Sequence, residues 1–120
     1  MIFGRVHDKF PRIVLTLAGS AEPIQIEFIV DTGFDGEVAI PPNVLMLLES
    51  TFIGNQKILL ADKTPRKRAY YQVTVEWEGE PRTLEAVLLD GRPLLGYDAV
   101  EGGVLQIEMT DGGEVSIDMS

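Results

Sequence analysis

Short runs of alternating apolar and polar residues recur along this chain, and turn-forming residues separate them. Residues 13–17 and 24–30 place an apolar side chain at every second position, and Gly-Ser-Ala-Glu-Pro lies between the two runs. A period of two is the pattern of a β-strand with one buried face, and a break containing Gly, Pro and Ser between two such runs is typical of a hairpin. The pattern therefore predicts a fold built mainly from paired β-strands.

The remaining segments repeat this pattern, and two of them favour a helix. We predict further strands at residues 37–40, 57–61, 68–77, 82–89, 104–109 and 114–119. Pro42 fits the first turn of a helix, so we predict a short helix over residues 43–50 and one helical turn over residues 97–101. Many short strands with frequent turns predict a mostly β protein, in the form of a small closed β-barrel with one or two short helices.

The composition narrows the class of protein further. At 120 residues the chain suits a single domain, which we place at residues 1–120. Cysteine is absent and His7 is the one histidine, which excludes disulfides, thiolate metal sites and multi-histidine metal sites. We therefore expect no metal and no cofactor. No apolar run approaches the ~20 residues that cross a bilayer and no secretory signal is recognisable, so we expect no membrane insertion and a cytoplasmic location.

The charge of the chain bears on its partners. A formal net charge of −9 disfavours binding to nucleic acid, because a phosphate backbone attracts cations. Arg66, Lys67 and Arg68 form the one basic cluster in the sequence. The cluster is either a patch for nucleic acid or targeting, or a charged strand end that keeps an exposed hairpin in solution. We favour the second interpretation, since a short cationic run in an acidic chain is usually local.

Asp31, Thr32 and Gly33 follow directly on the apolar strand predicted over residues 24–30. A carboxylate at this point is held by a largely buried strand and still reaches the surface. Thr32 adds a hydroxyl that donates and accepts hydrogen bonds, and Gly33 permits a tight turn. Asp-x-Gly is also a common turn sequence, in which the aspartate bonds its own backbone. The apolar strand before it and residues 34–36 after it favour a functional loop.

The spacing of Asp31, Gly33, Asp35 and Gly36 also resembles the start of a calcium-binding loop. Such a loop needs a bidentate glutamate at its twelfth position. That position is Pro42 in this chain, and strands are predicted on both sides. We therefore reject the calcium hypothesis.

Two motifs together resemble a known family. Residues 28–36 (Phe-Ile-Val-Asp-Thr-Gly-Phe-Asp-Gly) are followed about sixty residues later by residues 94–98 (Leu-Leu-Gly-Tyr-Asp). An apolar strand leading into Asp-Thr-Gly, then a hairpin, then two apolar residues and a glycine that opens a short helix is similar to the retroviral-type (retropepsin-like) aspartic proteases. More narrowly, the chain resembles the small prokaryotic aspartyl-protease-like proteins of that superfamily. The resemblance covers roughly residues 13–103.

This resemblance implies roles for individual residues. Asp31 matches the catalytic aspartate, Thr32 the threonine whose hydroxyl reaches the partner subunit, and Gly33 the glycine whose carbonyl lines the substrate cleft. Asp35 matches the acidic residue that bonds substrate backbone. Phe34 stands where the family usually has a small residue, and is implied to shape a substrate subsite.

The second motif and the hairpin complete the implied site. Leu94 and Leu95 match the element that packs beneath the active-site loop and are implied to line a substrate pocket. Tyr97 and Asp98 replace the Arg-Asn or Arg-Asp pair of viral relatives. The tip of the flap hairpin, which lacks the glycine-rich sequence of viral relatives, falls at Asp62, Lys63, Thr64 and Pro65.

The resemblance also implies a homodimer. The family mechanism uses two aspartates that share one proton, whereas this chain holds one Asp-Thr-Gly and is too short for two lobes. A two-fold dimer supplies the second Asp31. The first hypothesis is therefore a homodimeric aspartic endopeptidase acting on a peptide or protein substrate. The alternatives are a non-catalytic peptide- or protein-binding dimeric module on the same fold and a purely structural dimerisation domain.

Overall fold

The computed structural model describes residues 1–59 and 62–119. Ten β-strands and two short α-helices lie within these residues. In chain order they are β1 (Ile2–His7), β2 (Phe10–Leu17), β3 (Ile24–Val30), β4 (Val38–Ile40), α1 (Pro42–Leu45), β5 (Ser50–Leu59), β6 (Pro65–Trp77), β7 (Glu80–Leu88), β8 (Leu94–Leu95), α2 (Tyr97–Val100), β9 (Val104–Ile107) and β10 (Glu114–Asp118).

The ten strands form one mixed sheet in the order β5-β6-β7-β4-β8-β3-β2-β1-β10-β9. Strand β2 also pairs with β6, through Thr16 with Glu76 and Leu17 with Val75. This extra pairing closes six strands, β2, β3, β8, β4, β7 and β6, into a ring. The β3–β8 and β4–β7 pairs are parallel, and the other pairs are antiparallel. The prediction of a mostly β protein with short helices is confirmed.

Alternate side chains of the strands form one buried core. Along β2, Ile13, Leu15 and Leu17 are at most 4% exposed, whereas Val14 between them is 52% exposed. Each such aliphatic side chain contributes about 1.5–3 kcal/mol when it is removed from water. The side chains that are almost completely buried come from strands all around the sheet: Phe28, Ile13, Leu17, Ile40, Leu84, Leu95 and Ile117. The period of two in the sequence therefore corresponds to the buried and exposed faces of the strands.

The helix predicted over residues 43–50 is wrong in its length, because α1 ends at Leu45. The Leu47 carbonyl accepts the Ser20 N–H, and the Glu49 N–H donates to the Ala18 carbonyl, both at 3.0 Å. The turn after β2 therefore binds the backbone that a longer helix would use, and tertiary pairing overrides helix propensity. Among the described residues, no helix has the length and hydropathy to cross a membrane.

The sequence pattern does not predict β1, and it predicts the β5–β6 hairpin too short. Strand β1 pairs with both β2 and β10. Strand β5 begins at Ser50 instead of residue 57, and β6 begins at Pro65 instead of residue 68. Residues 60 and 61, which end the predicted strand over residues 57–61, lie outside the described part of the chain.

Candidate functional site

Asp31 lies at the point where β3 ends and a surface loop begins. Its N–H donates to the Leu95 carbonyl at 2.9 Å, which extends the parallel pairing of β3 with β8 by one residue. Strand β8 lies between β3 and β4, although β3 and β4 follow each other in the chain. The connection between them, residues 31–37, must therefore pass over the end of β8. We call this connection the Asp31 loop.

Two hydrogen bonds within the Asp31 loop close its first turn, one to the Asp31 side chain and one to the Asp31 backbone. The Gly33 N–H donates to Asp31 Oδ1 at 3.0 Å, and the Phe34 N–H donates to the Asp31 carbonyl at 3.1 Å. The Asp31 side chain is half-buried, and Thr32 and Gly33 are exposed. A Cβ at Gly33 would lie 3.2 Å from Asp31 Oδ1, a tight contact that would require a small shift of the carboxylate. The backbone N–H of Gly33 thus orients the half-buried Asp31 carboxylate near the protein surface.

Three backbone N–H groups at the start of α2 donate hydrogen bonds to the Asp31 loop. The Gly96 N–H donates to the Glu37 carbonyl at 2.8 Å, and the Asp98 N–H donates to the Gly36 carbonyl at 3.2 Å. Between them, the Tyr97 N–H donates to the Phe34 carbonyl at 2.8 Å. The structure therefore brings together the two segments that carry the family resemblance, residues 28–36 and residues 94–98.

Gly96 is the point of closest approach between the loop and α2. A Cβ at Gly96 would lie 2.1 Å from the Gly36 carbonyl oxygen and 2.6 Å from Phe34 Cδ2. The Phe34 ring also lies 2.6 Å from the position of a Cβ at Gly36. The half-buried Phe34 ring therefore packs within the loop, over two glycines. Asp35, next to it, is exposed.

Leu94 and Leu95 lie on opposite faces of β8. Leu95 has no exposed surface and belongs to the core, so within one protomer its side chain offers no surface to a ligand. Leu94 is half-buried on the other face, opposite Ile29 of β3 and Ala39 of β4. Of the two leucines, Leu94 is thus the one with surface to contribute to a pocket.

The side chains of Glu37 and Arg82 interact at the C-terminal end of the Asp31 loop. The sequence patterns do not predict this interaction. Glu37 Oε1 accepts the Glu85 N–H at 2.8 Å, and its Oε2 lies 3.8 Å from an Arg82 guanidinium nitrogen. The same guanidinium stacks 4.6 Å from the centre of the Trp77 ring. The only sign of this contact in the sequence is a charged residue, Glu37, directly before the buried strand β4. Its position does not show which residues Glu37 pairs with.

The predicted flap tip forms the turn of the β5–β6 hairpin. Asp62 Oδ1 accepts the Thr64 N–H at 2.9 Å; this bond and one from the Thr64 hydroxyl lower the pKa of Asp62. Lys63 has a positive φ of 61°, and Pro65 begins β6 opposite Leu59. Among the described residues, no hydrogen bond or ion pair joins residues 62–65 to residues 31–35.

The described residues hold no group of three or more His, Asp or Glu side chains suited to a metal ion. A scan against protein-family models, a search of curated proteins and a search of solved structures each found no match for this chain. The functional assignment therefore depends on the residues and geometry of the Asp31 loop.

Proposed function

We propose that this chain is an aspartic endopeptidase that acts as a homodimer, with one Asp31 from each subunit. The observation that carries the proposal is the Asp31 carboxylate, which lies at the end of β3 in an Asp-Thr-Gly turn fixed over β8 and α2. The ring of six strands is consistent with this assignment. The proposal includes the finer description of the fold as a small closed barrel of the retropepsin-like type.

The proposed chemistry needs two carboxylates that share one proton. Two like charges within ~3 Å do not both ionise, so one carboxyl stays protonated while the other is a base, as in characterised aspartic proteases. The base accepts a proton from a water molecule, which attacks the peptide carbonyl carbon. The acid hydrogen-bonds the carbonyl oxygen, and a proton then passes to the leaving amine. A single Asp31 cannot fill both roles.

The neighbouring residues have proposed roles in holding the substrate. Thr32 bonds the partner subunit's loop, and Gly33 and Asp35 bond the backbone of an extended peptide. Phe34 and Leu94 contact substrate side chains. Residues 62–65 are proposed as the tip of a flap over the peptide. Thr32, Gly33 and Asp35 are exposed, which leaves them available for these contacts.

A non-catalytic peptide-binding dimer is the second candidate. It is favoured by the bond from the Gly33 N–H to Asp31 Oδ1, because an aspartate that caps its own turn has a structural role without any chemistry. In that case Asp31→Asn keeps the turn, since the amide oxygen also accepts the Gly33 N–H. Peptide binding would then survive the substitution.

A peptide-library digestion separates the two candidates. Wild type, Asp31→Asn and the matched control Asp111→Asn are incubated with the library from about pH 3 to about pH 8, and products are identified by mass spectrometry. We expect cleavage by wild type and by the control, whose substitution lies in an exposed turn, and none by Asp31→Asn. Absence of cleavage by wild-type dimer at every pH contradicts the proposal.

A mixing experiment tests whether each active site needs both subunits. When equal amounts of wild type and Asp31→Asn exchange subunits, about one quarter of the dimers carry two aspartates. Total activity should therefore fall to about one quarter of that of the same total amount of wild type. A fall to one half would mean that each subunit acts alone.

A further inference from the structure

Half of the cations of this acidic chain lie in one short segment. Residues 57–68 hold five of the ten lysines and arginines but one of the nineteen acidic residues. The segment therefore carries a net charge of +4, and the rest of the chain carries −13. The five cations are Lys57, Lys63, Arg66, Lys67 and Arg68.

This segment belongs to a two-stranded ribbon that extends beyond the rest of the sheet. The pairing of β6 with β7 begins at Tyr70, opposite Val87. Nearer the turn, residues 65–69 of β6 pair only with residues 55–59 of β5 among the described residues. We call the described residues of this ribbon, 55–59 and 62–69, the basic arm. Five residues a strand give it a length of about 17 Å. Within the part of the chain that the structure describes, neither of its outer edges pairs with a third strand, so both edges can accept another strand.

The cations of the basic arm have no acidic partners within the described residues. The cations in ion pairs there are the N-terminus, His7, Arg12 and Arg82. Arg66 and Arg68 donate to neighbouring backbone carbonyls. Lys57 lies directly opposite Lys67, and like charges opposite each other destabilise a strand pair. The arm thus retains a repulsive pair that its own structure does not compensate.

The cations are distributed over both faces of the arm. Cross-strand partners share a face, so Lys57 and Lys67 lie on one face, and Arg66 and Arg68 lie on the other. A peptide strand added to either edge has side chains that alternate in the same way. Acidic side chains on such a strand would meet cations on each face.

We propose that the basic arm binds an extended, acidic polypeptide segment by strand addition. Charge complementarity selects the acidic partner, and the open edges provide backbone hydrogen bonds. A long nucleic acid fits less well, because it extends beyond the ~17 Å arm and meets the repulsion of the acidic body within a Debye length of about 8 Å. The arm ends in residues 62–65, which are proposed above as the flap tip; binding along its strand edges goes beyond the proposed peptidase activity, because it involves no cleavage and does not require Asp31.

Fluorescence anisotropy with an eight-residue peptide of alternating Glu and Val tests the proposal. An equivalent Gln-Val peptide and a single-stranded oligothymidine of equal charge are the comparison probes. We expect Arg66→Gln/Lys67→Gln to weaken Glu-Val binding about ten-fold. Arg5→Gln/Arg92→Gln changes the net charge equally at exposed positions outside the arm and should change binding less than about two-fold. Equal losses in the two variants, or tighter binding of oligothymidine than of Glu-Val peptide, would overturn the proposal.

Lys57→Glu provides a test that does not depend on loss of folding. It replaces the Lys57–Lys67 repulsion with an opposite-charge pair, so the thermal midpoint should rise by a few degrees. Binding of the Glu-Val peptide should weaken in the same variant. A stabilised variant that binds the peptide as tightly as wild type shows that the arm is not the binding site.

Discussion

Gly96→Ala is expected to destabilise the protein strongly, although the backbone at this position is ordinary. Gly96 has φ −95° and ψ 178°, a conformation that any residue adopts. An added Cβ would nevertheless lie 2.1 Å from the Gly36 carbonyl oxygen and 2.7 Å from the Phe34 carbonyl oxygen. Because both are backbone atoms, no side-chain rotation relieves the overlap. The Asp31 loop and α2 must move apart.

The cost of this movement follows from the bonds that it disturbs. The N–H groups of residues 96, 97 and 98 donate to the carbonyls of residues 37, 34 and 36, at 2.8, 2.8 and 3.2 Å. Each bond contributes about 1 kcal/mol net, and overpacking adds at least about 1 kcal/mol. We therefore expect a loss of about 4 kcal/mol, which is a large part of the ~5–15 kcal/mol that stabilises a typical domain.

Urea denaturation measures this loss through the fluorescence of Trp77, which is the one tryptophan and is buried. Gly79→Ala is the matched control, because Gly79 has φ +83° and open space around its Cβ position. Its cost should be about 1–2 kcal/mol, from the left-handed backbone alone. Backbone angles by themselves predict the opposite order. The reasoning is refuted if Gly96→Ala costs no more than Gly79→Ala, or if adding Phe34→Ala restores the lost stability.

Two further predictions concern the core and the pH dependence. Leu95→Ala should cost about 2–5 kcal/mol in urea denaturation, because Leu95 has no exposed surface; Leu94→Ala should cost clearly less, and an equal cost would contradict the placement of the two side chains. Burial and then the charge of Glu85 raise the pKa of Tyr70. A raised phenol pKa stabilises the fold below pH ~10 and loses that contribution at higher pH. Tyr70→Phe should remove a step above pH ~10 from the tyrosine absorbance titration and reduce the alkaline loss of stability; an unchanged alkaline loss would contradict this assignment.

The alternation of apolar residues predicts those strands whose two faces differ clearly. Strand β2 follows it closely: Ile13, Leu15 and Leu17 are buried, whereas Val14 is exposed and Thr16 is half-buried. In β1, Phe3 is 58% exposed and Gly4 faces inward without a side chain, so the period is hidden. Gly4 is needed there, since a Cβ would lie 1.8 Å from the Arg12 carbonyl oxygen. Such a close approach cannot be predicted without the register of the neighbouring strand.

The order of strands around the ring was not predictable from local patterns. Strand β8 has two residues, too few to show any period. It still determines the site, because its insertion between β3 and β4 forces residues 31–37 across its end. The family resemblance at residues 94–96 implied an element beneath the Asp31 loop, but no strand was predicted there, and its parallel pairing with β3 is a tertiary property. Likewise, the Glu85 N–H donates to the Glu37 carboxylate. Because the two residues are distant in the sequence, neither segment alone predicts this bond.

The position of the Asp31 carboxylate depends mainly on backbone contacts. The bonds that fix the loop to β8 and α2 join main-chain atoms, from the Asp31 N–H to the N–H of Asp98. The path of the loop therefore does not depend on hydrogen bonds from the side chains at positions 34 and 35. Phe34, where the family that the sequence resembles has a small residue, lies over Gly36 and Gly96, where there are no side chains to displace. The phenylalanine at position 34 is thus compatible with an ordered loop. The proposed catalysis then requires that the two Asp31 carboxylates of a dimer come within hydrogen-bonding distance of each other.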